Sequence, residues 1–488
     1  MDKNNAIQKK AVVAFISIIS ISWIFWTQIT HVNRYAASWD QVDFVLALER
    51  YDLMAMQPHF PGYPYFILGG YLIHFFLENK VASLTVFNIL LYFSALFPMY
   101  KLAREYVSKS YSLLIAAILY SSTYIVVIVN QPMSEGAAIA ALWWYFWSIN
   151  HAIKKNRLLS NILPLFVFSI LLGIRLSYLP FAIGLLLLFY IKWRNKQYRL
   201  RHIIAYLLIA GAFQFIWVVG LVLSEGSIKG FLKLSLAFTS GHFNSWGNTA
   251  VSSDVSFLTR LKTIVINNVL WTGISSQIIW LAILYVVVIG LFIYYFKWND
   301  TKCDSSMQLA IIMSSSYFIW VVIGQNIDKP RHILPLVIFL LFIMLINILK
   351  NSRNTMLVLF FIVLLISQIY HSYTLVIEQA QVNPAAYQLA DYLHSHEQSA
   401  IVYTWEETRV LEYVNVPVSH KRVKTFEIFL HDISYYPNKK ILITNKVVEG
   451  FKAQGISVNA NIKQIKEFHS NSIFDPVYHD IVLYEWIK

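Results

Sequence analysis

The sequence predicts a polytopic α-helical membrane protein with a small α/β domain after its last span. Of the 488 residues, 57% are hydrophobic and only 13% are charged, against about 25% charged residues in soluble domains. Apolar runs of roughly 20 residues, the length that crosses a bilayer, recur along the chain with short basic loops between them. A soluble protein could not hide this much apolar surface, because a single core stops growing near ~250–300 residues.

The apolar runs predict about eleven transmembrane helices. They lie near residues 11–30, 84–102, 110–129, 136–151, 160–175, 177–191, 202–223, 275–296, 307–324, 332–349 and 355–373. The first run is longer than the apolar core of a signal peptide, about 7–15 residues, so it is interpreted as an uncleaved signal anchor. The single cysteine, Cys303, has no intramolecular disulfide partner.

Lysine and arginine residues cluster in alternate loops, as between residues 101–109, 154–157 and 192–201. The positive-inside rule places these loops in the cytoplasm, so the N-terminus is expected inside and the C-terminus outside. The composition fits a bacterial plasma membrane, and an enzyme of the endoplasmic reticulum would have a similar one. The same rule accounts for the formal charge of +13. No nucleic-acid partner is therefore expected, since the basic residues form no stripe on a soluble face.

Two domains are expected, a transmembrane domain over residues 1–373 and an extracytoplasmic α/β domain over residues 374–488. The first carries two long outer loops, residues 31–83 and 224–262, and the apolar stretch Pro64–Leu77 is too short to cross the membrane. That stretch predicts an interfacial or re-entrant helix. In the second domain, strand-length apolar runs alternate with helical stretches; the runs are Ala400–Thr404, Lys440–Thr444 and Asp480–Trp486, and the helices are Pro384–Ser395 and Thr425–Ile433.

The first outer loop opens with an acidic segment that lacks proline and glycine for a dozen residues after Ser38. This predicts a helix with Ser38 as N-cap, on which Asp40, Asp43, Ala47 and Arg50 share one face. Two carboxylates three residues apart can act as a base with a helper, or hold a metal ion. The alternative is that both acids only favour the helix N-terminus and face water.

Prolines at positions 58, 61 and 64 predict an extended, stiff path before the short apolar stretch. They would hold His59 and Tyr63 in fixed positions above the membrane. His59 could bind a phosphate, a sugar hydroxyl or a metal ion. Alternatively it caps the following helix.

Three further groups of residues are candidates for substrate binding. Glycine, asparagine and tryptophan in Gly241–Asn248, with His242 and Trp246, suit a loop with an aromatic platform for a sugar ring. Trp246 fits a membrane-interface belt equally well. Arg331 and His332, at the outer mouth of a span, could meet a lipid phosphate. Arg175 could do the same, or extend its side chain to the interface.

The order of these parts resembles the GT-C superfamily of integral-membrane glycosyltransferases, which includes protein O-mannosyltransferases and aminoarabinose transferases. The matching parts are Trp39-Asp-Gln-Val-Asp43, His59-Phe-Pro-Gly-Tyr-Pro64 and Arg331-His-Ile-Leu-Pro335. The resemblance covers nearly the whole chain as architecture, with its sequence signal limited to these motifs. Walker, GxSxG, HExxH and GxGxxG motifs are absent from the sequence.

By this resemblance, the chain moves a sugar from a polyprenyl-phosphate donor to a hydroxyl of a glycan, lipid or protein acceptor in the cell envelope. Asp40 is then the general base, Asp43 its helper or metal partner, and Arg331 holds the phosphate. Gln41 replaces the acid of the commoner Asp-Glu pair, which leaves open which aspartate is the base and whether Mg²⁺ or Mn²⁺ is needed. The alternatives are a multi-pass transporter or lipid flippase, and a scaffold without catalysis.

Overall fold

The computed structural model describes residues 3–253, 255–296, 305–351, 354–397 and 399–487; Cys303 lies outside them. The chain forms two compact units. The membrane unit comprises Met1–Asn33 and Ala47–Ile377, and the α/β unit comprises Arg34–Leu46 and Glu378–Lys488. The acidic segment of the first outer loop is therefore part of the α/β unit.

Helices make up most of the described chain. The first seventeen, in chain order, are α1 Lys3–Thr30, α2 Trp39–Leu46, α3 Pro64–His74, α4 Lys80–Ser94, α5 Leu96–Ala103, α6 Lys109–Tyr120, α7 Thr123–Val129, α8 Ser134–Lys154, α9 Leu158–Ile174, α10 Ile183–Arg194, α11 Leu200–Glu225, α12 Ile228–Gly241, α13 Phe257–Lys262, α14 Ile279–Tyr295, α15 Ser305–Gly324, α16 Leu334–Asn351 and α17 Thr355–Gln381. Short 3₁₀ helices span Leu176–Ala182 and Pro330–Ile333, and π-helices span His242–Trp246 and Thr263–Ile274.

The chain is an integral membrane protein by its helix lengths and composition. Within the described residues, seven helices are long and apolar enough to cross a membrane: Gln8–Thr30, Lys80–Ala103, Leu176–Arg194, Leu200–Glu225, Ser305–Gly324, Pro330–Asn351 and Thr355–His396. Two bent pairs, α6 with α7 and Phe257–Ile274 with α14, raise the number to nine. All eleven predicted spans fall on helices. Two of these helices, α8 and α9, are not among the nine that are long and apolar enough, and α9 has only 17 residues.

Among the seven helices long and apolar enough to cross a membrane, the most buried is Pro330–Asn351, which contains α16. Aromatic side chains pack its flank against α8, with Phe146 edge-on to Phe339 and Trp143 edge-on to Phe342. The predicted short helix before the second span is confirmed as α3, 11 residues long. The helical stretch Phe257–Ile274 was not predicted, since the polar residues flanking it read as loop.

The α/β unit is built on a five-stranded sheet of order β2-β1-β3-β5-β4. Its strands are β1 Ile401–Thr404, β2 Ser419–Arg422, β3 Ile441–Thr444, β4 Ile462–His469 and β5 Asp480–Trp486. Strand β1 runs parallel to β2 and β3, while β5 is antiparallel to β3 and β4. The unit also has four helices that come after α17 in the chain. They are α18 Ala385–His396, which precedes β1, and α19 Glu407–Tyr413, α20 Phe426–Ile433 and α21 Asn445–Ala453, which lie between successive strands.

The predicted strands β1, β3 and β5 and the helices α18 and α20 are confirmed within two residues. The two strands that were not predicted, β2 and β4, are the outer strands of the sheet. Both are polar, with the sequences SHKR and IKQIKEFH. Edge strands need no continuous apolar run, because at least one of their faces is open to water.

The acidic helix α2 is shorter than predicted and ends at Leu46. Ala47 and Arg50 therefore lie outside it, and the predicted four-residue face is wrong beyond Asp43. Ser38 precedes the helix and its carbonyl oxygen accepts from the Val42 amide. Its hydroxyl makes no hydrogen bond, so the predicted side-chain cap is not formed.

Candidate active site

The two aspartates of the acidic helix have different surroundings in the α/β unit. Asp43 is completely buried, with 0% exposure. The Arg409 guanidinium, on α19, donates to its Oδ1 through Nε at 3.0 Å and Nη2 at 2.9 Å. Asp40 lies in the first turn of α2 and is only partly buried. A buried carboxylate is tolerated when a cation pairs with it, so Asp43 is fixed within the α/β unit while Asp40 stays partly exposed.

The pair of aspartates does not fit the metal site that the sequence left open. A cation already sits at the inner carboxylate, because Arg409 makes two contacts with the same Asp43 oxygen. Within the described ranges, no group of three or more histidine, cysteine, aspartate or glutamate side chains is arranged to hold a metal ion. We therefore derive no catalytic step through a metal.

In the membrane unit, three charged side chains from distant parts of the sequence meet. Glu135, in the first turn of α8, is buried with its side chain 1% exposed. Its Oε1 accepts from Arg331 Nε at 2.7 Å and contacts Arg175 Nη2 at 3.2 Å. Arg175 Nη1 also donates to the Ser134 hydroxyl at 2.9 Å. The prediction that Arg175 could extend to the interface is wrong, since its side chain is 9% exposed.

This group, the Glu135–Arg175–Arg331 cluster, carries two guanidinium charges and one carboxylate charge. Burying charges is costly unless each finds a partner, and a shared carboxylate lowers that cost for both arginines. Among the described residues no donor reaches the second carboxylate oxygen, Oε2. Guanidinium groups held in this way bind phosphate oxygens through paired N–H donors.

Three tyrosines lie near Arg175 in the same unit. Tyr63, Tyr178 and Tyr317 all lie close enough to interact electrostatically with its guanidinium. The Tyr317 hydroxyl donates to the carbonyl oxygen of His332 at 2.9 Å, which ties the 3₁₀ turn carrying Arg331 to α15. Two of the predicted binding residues, Arg175 and Arg331, are thus brought together by Glu135, with His332 placed beside Arg331 in the same turn.

An extended path was predicted for the proline-rich segment before α3. Instead the segment forms a turn, in which the Gly62 amide donates to the His59 carbonyl oxygen. Gly62 has φ +88° and Tyr63 has φ +47°, both in the left-handed region. His59 Nε2 and the Tyr63 hydroxyl form a 3.0 Å hydrogen bond. The His59 ring also stacks on Phe238 of α12, with centroids 6.3 Å apart. The segment is nevertheless non-helical, as the prolines predicted.

The second outer loop is largely helical where the sequence predicted tight turns. His242 and Trp246 lie on a π-helical turn that continues α12, with their ring centroids 5.0 Å apart. His242 Nε2 donates to the Gly324 carbonyl oxygen at 2.8 Å. The Trp246 side chain is 52% exposed. His242 is therefore a structural contact in this state, while Trp246 keeps an open aromatic face.

Sequence reasoning missed several residues that hold these groups. Arg260 is 1% exposed and donates to the carbonyl oxygens of Val322, Asn248 and Gln325. Neither Glu135 nor Arg409 was among the predicted site residues. An acid between apolar runs is a usable signal for Glu135. An arginine in a polar α/β domain carries no such signal.

The arrangement of membrane helices followed by a C-terminal sheet is shared with solved structures of other proteins. Similar solved structures include ArnT from Cupriavidus metallidurans bound to undecaprenyl phosphate, with TM-score 0.56, 9% identity, and coverage of 96% of this chain and 97% of ArnT. The apo state of the same protein aligns with TM-score 0.54 and 8% identity, over 96% of this chain and 97% of ArnT. The Archaeoglobus fulgidus oligosaccharyltransferase aligns with TM-score 0.47 and 12% identity over 91% of this chain and 70% of its own length.

No protein-family model matches the sequence, and no curated protein matches it in sequence. At identities near one residue in ten, the likeness to ArnT establishes the fold of this chain. The predicted GT-C resemblance is confirmed at that level.

Proposed function

We propose that this protein is a membrane glycosyltransferase that moves a sugar from a polyprenyl-phosphate donor to an acceptor hydroxyl on the extracytoplasmic face. The observation that carries the proposal is the buried Glu135–Arg175–Arg331 cluster in a GT-C fold. ArnT, which shares the fold, has been seen bound to undecaprenyl phosphate. A lipid phosphate is the anion that two guanidinium groups in a membrane protein are suited to bind.

The reaction needs a base and a stabiliser of the leaving group. Asp40 removes the proton of the acceptor hydroxyl, and the oxygen attacks the anomeric carbon of the sugar. The bond between that carbon and the phosphate oxygen breaks, and its electron pair leaves with the lipid phosphate. Arg331 and Arg175 stabilise the charge that develops there. Burial of Asp43 against Arg409 supports assigning the base to Asp40 and a positioning role to Asp43.

The other predicted residues fit supporting roles in this proposal. The Tyr63 hydroxyl, bonded to His59, lies near Arg175 and can donate to a phosphate or sugar oxygen. The exposed face of Trp246 offers a surface on which a sugar ring can stack.

The proposal is tested by transfer of labelled sugar from cell-derived polyprenyl-phosphate sugars by the purified full chain. We expect Asp40→Asn to lower kcat by about 10²–10⁴-fold while thermal stability stays near wild type, because this side chain is partly exposed. Arg331→Gln should also lose turnover. The control is Arg34→Gln, which removes an exposed arginine of the α/β unit.

Wild-type turnover in Asp40→Asn would remove this residue from the mechanism. If wild-type protein transfers no sugar in the presence of an acceptor pool shown to be competent, the glycosyltransferase proposal is wrong. Movement of lipid or solute across vesicles by the same preparation would then support a transporter or flippase.

A further inference from the structure

The guanidinium of an arginine in the α/β unit lies over two tryptophan rings. Arg422 is the last residue of the edge strand β2. Its guanidinium carbon lies 4.9 Å from the Trp39 ring centroid and 4.3 Å from that of Trp405. We call these three residues the Trp39–Arg422–Trp405 stack. A neighbouring cation, Arg409, lies 5.6 Å from the same Trp39 ring.

Stacking orients a guanidinium and leaves its hydrogen-bond donors available. The group is flat, its N–H donors lie in its plane, and aromatic rings are attracted to its faces. Arg422 is exposed, and among the described residues no carboxylate pairs with it. Arg409 differs, since it is bound to the buried Asp43. Arg422 is therefore a fixed, solvent-facing cation whose donors can receive an anion.

The stack stands where ligands approach an α/β sheet. Trp405 directly follows β1, and Arg422 ends the parallel strand β2. Crevices outside the carboxyl ends of parallel strands are the usual ligand sites of open α/β sheets, above all where neighbouring strands connect in opposite directions. Trp405 and Arg422 both lie at this end of the sheet, because β1 and β2 are neighbouring parallel strands.

The stack is also directly linked to the proposed base. Trp39 precedes Asp40 in α2, so their Cα atoms are about 3.8 Å apart across one peptide bond. A group bound at Arg422 would lie beside the first turn of the helix that carries Asp40. The indole rings add apolar faces on which a sugar or lipid headgroup can rest.

We propose that the Trp39–Arg422–Trp405 stack binds an anionic group, phosphate or carboxylate, of the acceptor substrate and selects the acceptors that reach Asp40. This inference rests on the proposed function, because an acceptor exists only if sugar transfer does. Arg422 is then a specificity-determining residue and takes no proton. A bidentate contact with an anion is the interaction that its fixed plane favours.

The first test compares acceptors that differ in charge. Cell extracts are separated by anion exchange into neutral and anionic acceptors, each divided into lipid-extractable and water-soluble pools. We expect wild type to prefer an anionic pool, and the pool used tells whether the anion belongs to a lipid headgroup or a soluble molecule. Arg422→Gln should raise KM for that pool about ten- to one-hundred-fold with kcat little changed. Arg422→Lys should restore only part of the affinity, because lysine lacks the planar fork.

The matched control is Arg34→Gln, the same change at an exposed arginine of the same unit; its KM should stay at the wild-type value. The inference is overturned if Arg422→Gln keeps the wild-type KM, or if wild type uses neutral and anionic acceptors equally well.

The second test does not depend on turnover. Full-length protein in detergent is titrated with inorganic phosphate, and binding is followed by broadening of the phosphorus resonance. We expect Arg422→Gln to remove one component of binding that Arg331→Gln leaves in place. Identical titrations of wild type and Arg422→Gln would overturn the inference. Absence of sugar transfer with a normal Arg422-dependent phosphate titration would instead count against the proposed function.

Discussion

Replacing Arg409 by glutamine would show whether the acidic helix is held in the α/β unit by a buried ion pair. The substitution removes the cation that contacts Asp43 Oδ1 at 2.9 and 3.0 Å. Asp43 is 0% exposed, and Arg409 has a side chain only 15% exposed, so water cannot replace the lost partner. The carboxylate would be left as an unpaired buried charge.

The expected cost is large compared with that of a surface ion pair. Removing one partner of a buried pair destabilises by about 3–5 kcal/mol, whereas exposed pairs contribute about 0–1 kcal/mol. At ~1.4 kcal/mol per factor of ten, the local opening equilibrium should rise by roughly two to almost four orders of magnitude. The effect should be concentrated on α2 and α19, the two helices that the pair joins.

Native-state hydrogen exchange is the suitable assay, because a chain of two units need not unfold in one step. Peptides covering residues 39–46 and 407–413 should lose protection in Arg409→Gln, while peptides from α16 should not. The double variant Asp43→Asn with Arg409→Gln should recover most of the protection, since two amides can pair without a buried charge. Arg34→Gln, at an exposed site, is the control.

Two results would refute this reasoning. If the double variant is as destabilised as Arg409→Gln alone, neutralising Asp43 gives no relief, so the loss comes from packing and not from an unpaired buried carboxylate. If Arg409→Gln costs less than about 1 kcal/mol, the pair behaves as a surface ion pair despite its burial.

Two further predictions concern stability in each unit. Burial raises the pKa of Glu407, on α19, above its ordinary value of 4.5. The folded protein therefore holds this proton more tightly than the unfolded chain, and the stability it contributes is complete below about pH 4.5 and is lost as pH rises through the raised pKa. We expect Glu407→Gln to stabilise the α/β unit near neutral pH and to flatten this dependence in denaturant titrations across pH 4–8; a wild-type pH profile in the variant would contradict this. In the membrane unit, Gly62→Ala should destabilise by about 1–3 kcal/mol, because φ is +88° and the added Cβ would lie 2.5 Å from the Tyr51 hydroxyl oxygen. The control for thermal unfolding in detergent is Gly211→Ala, whose Cβ meets no atom within 4 Å; equal melting temperatures of the two variants would contradict the strain.

Sequence alone was sufficient for the features that depend on long apolar runs. All eleven predicted spans fall on helices, and up to nine of those in the described residues are long and apolar enough to cross a membrane. About 20 consecutive apolar residues have no other stable form in a bilayer. The buried strands β1 and β3 were found for a similar reason, since each is a short continuous apolar run with every residue buried. The orientation of the chain across the membrane, predicted from loop charges, remains a prediction.

Only the tertiary structure decided how the charged residues are paired. Glu135, Arg175 and Arg331 are 40 to 196 positions apart in the sequence, and Asp43 is 366 positions from Arg409. Helical periodicity places residues on a face over a few turns, but it carries no information on which distant face will meet it. Burial then determines the chemistry. Asp43 is buried and paired with Arg409, whereas Asp40 stays partly exposed. The two aspartates are nevertheless the same residue type on a single eight-residue helix.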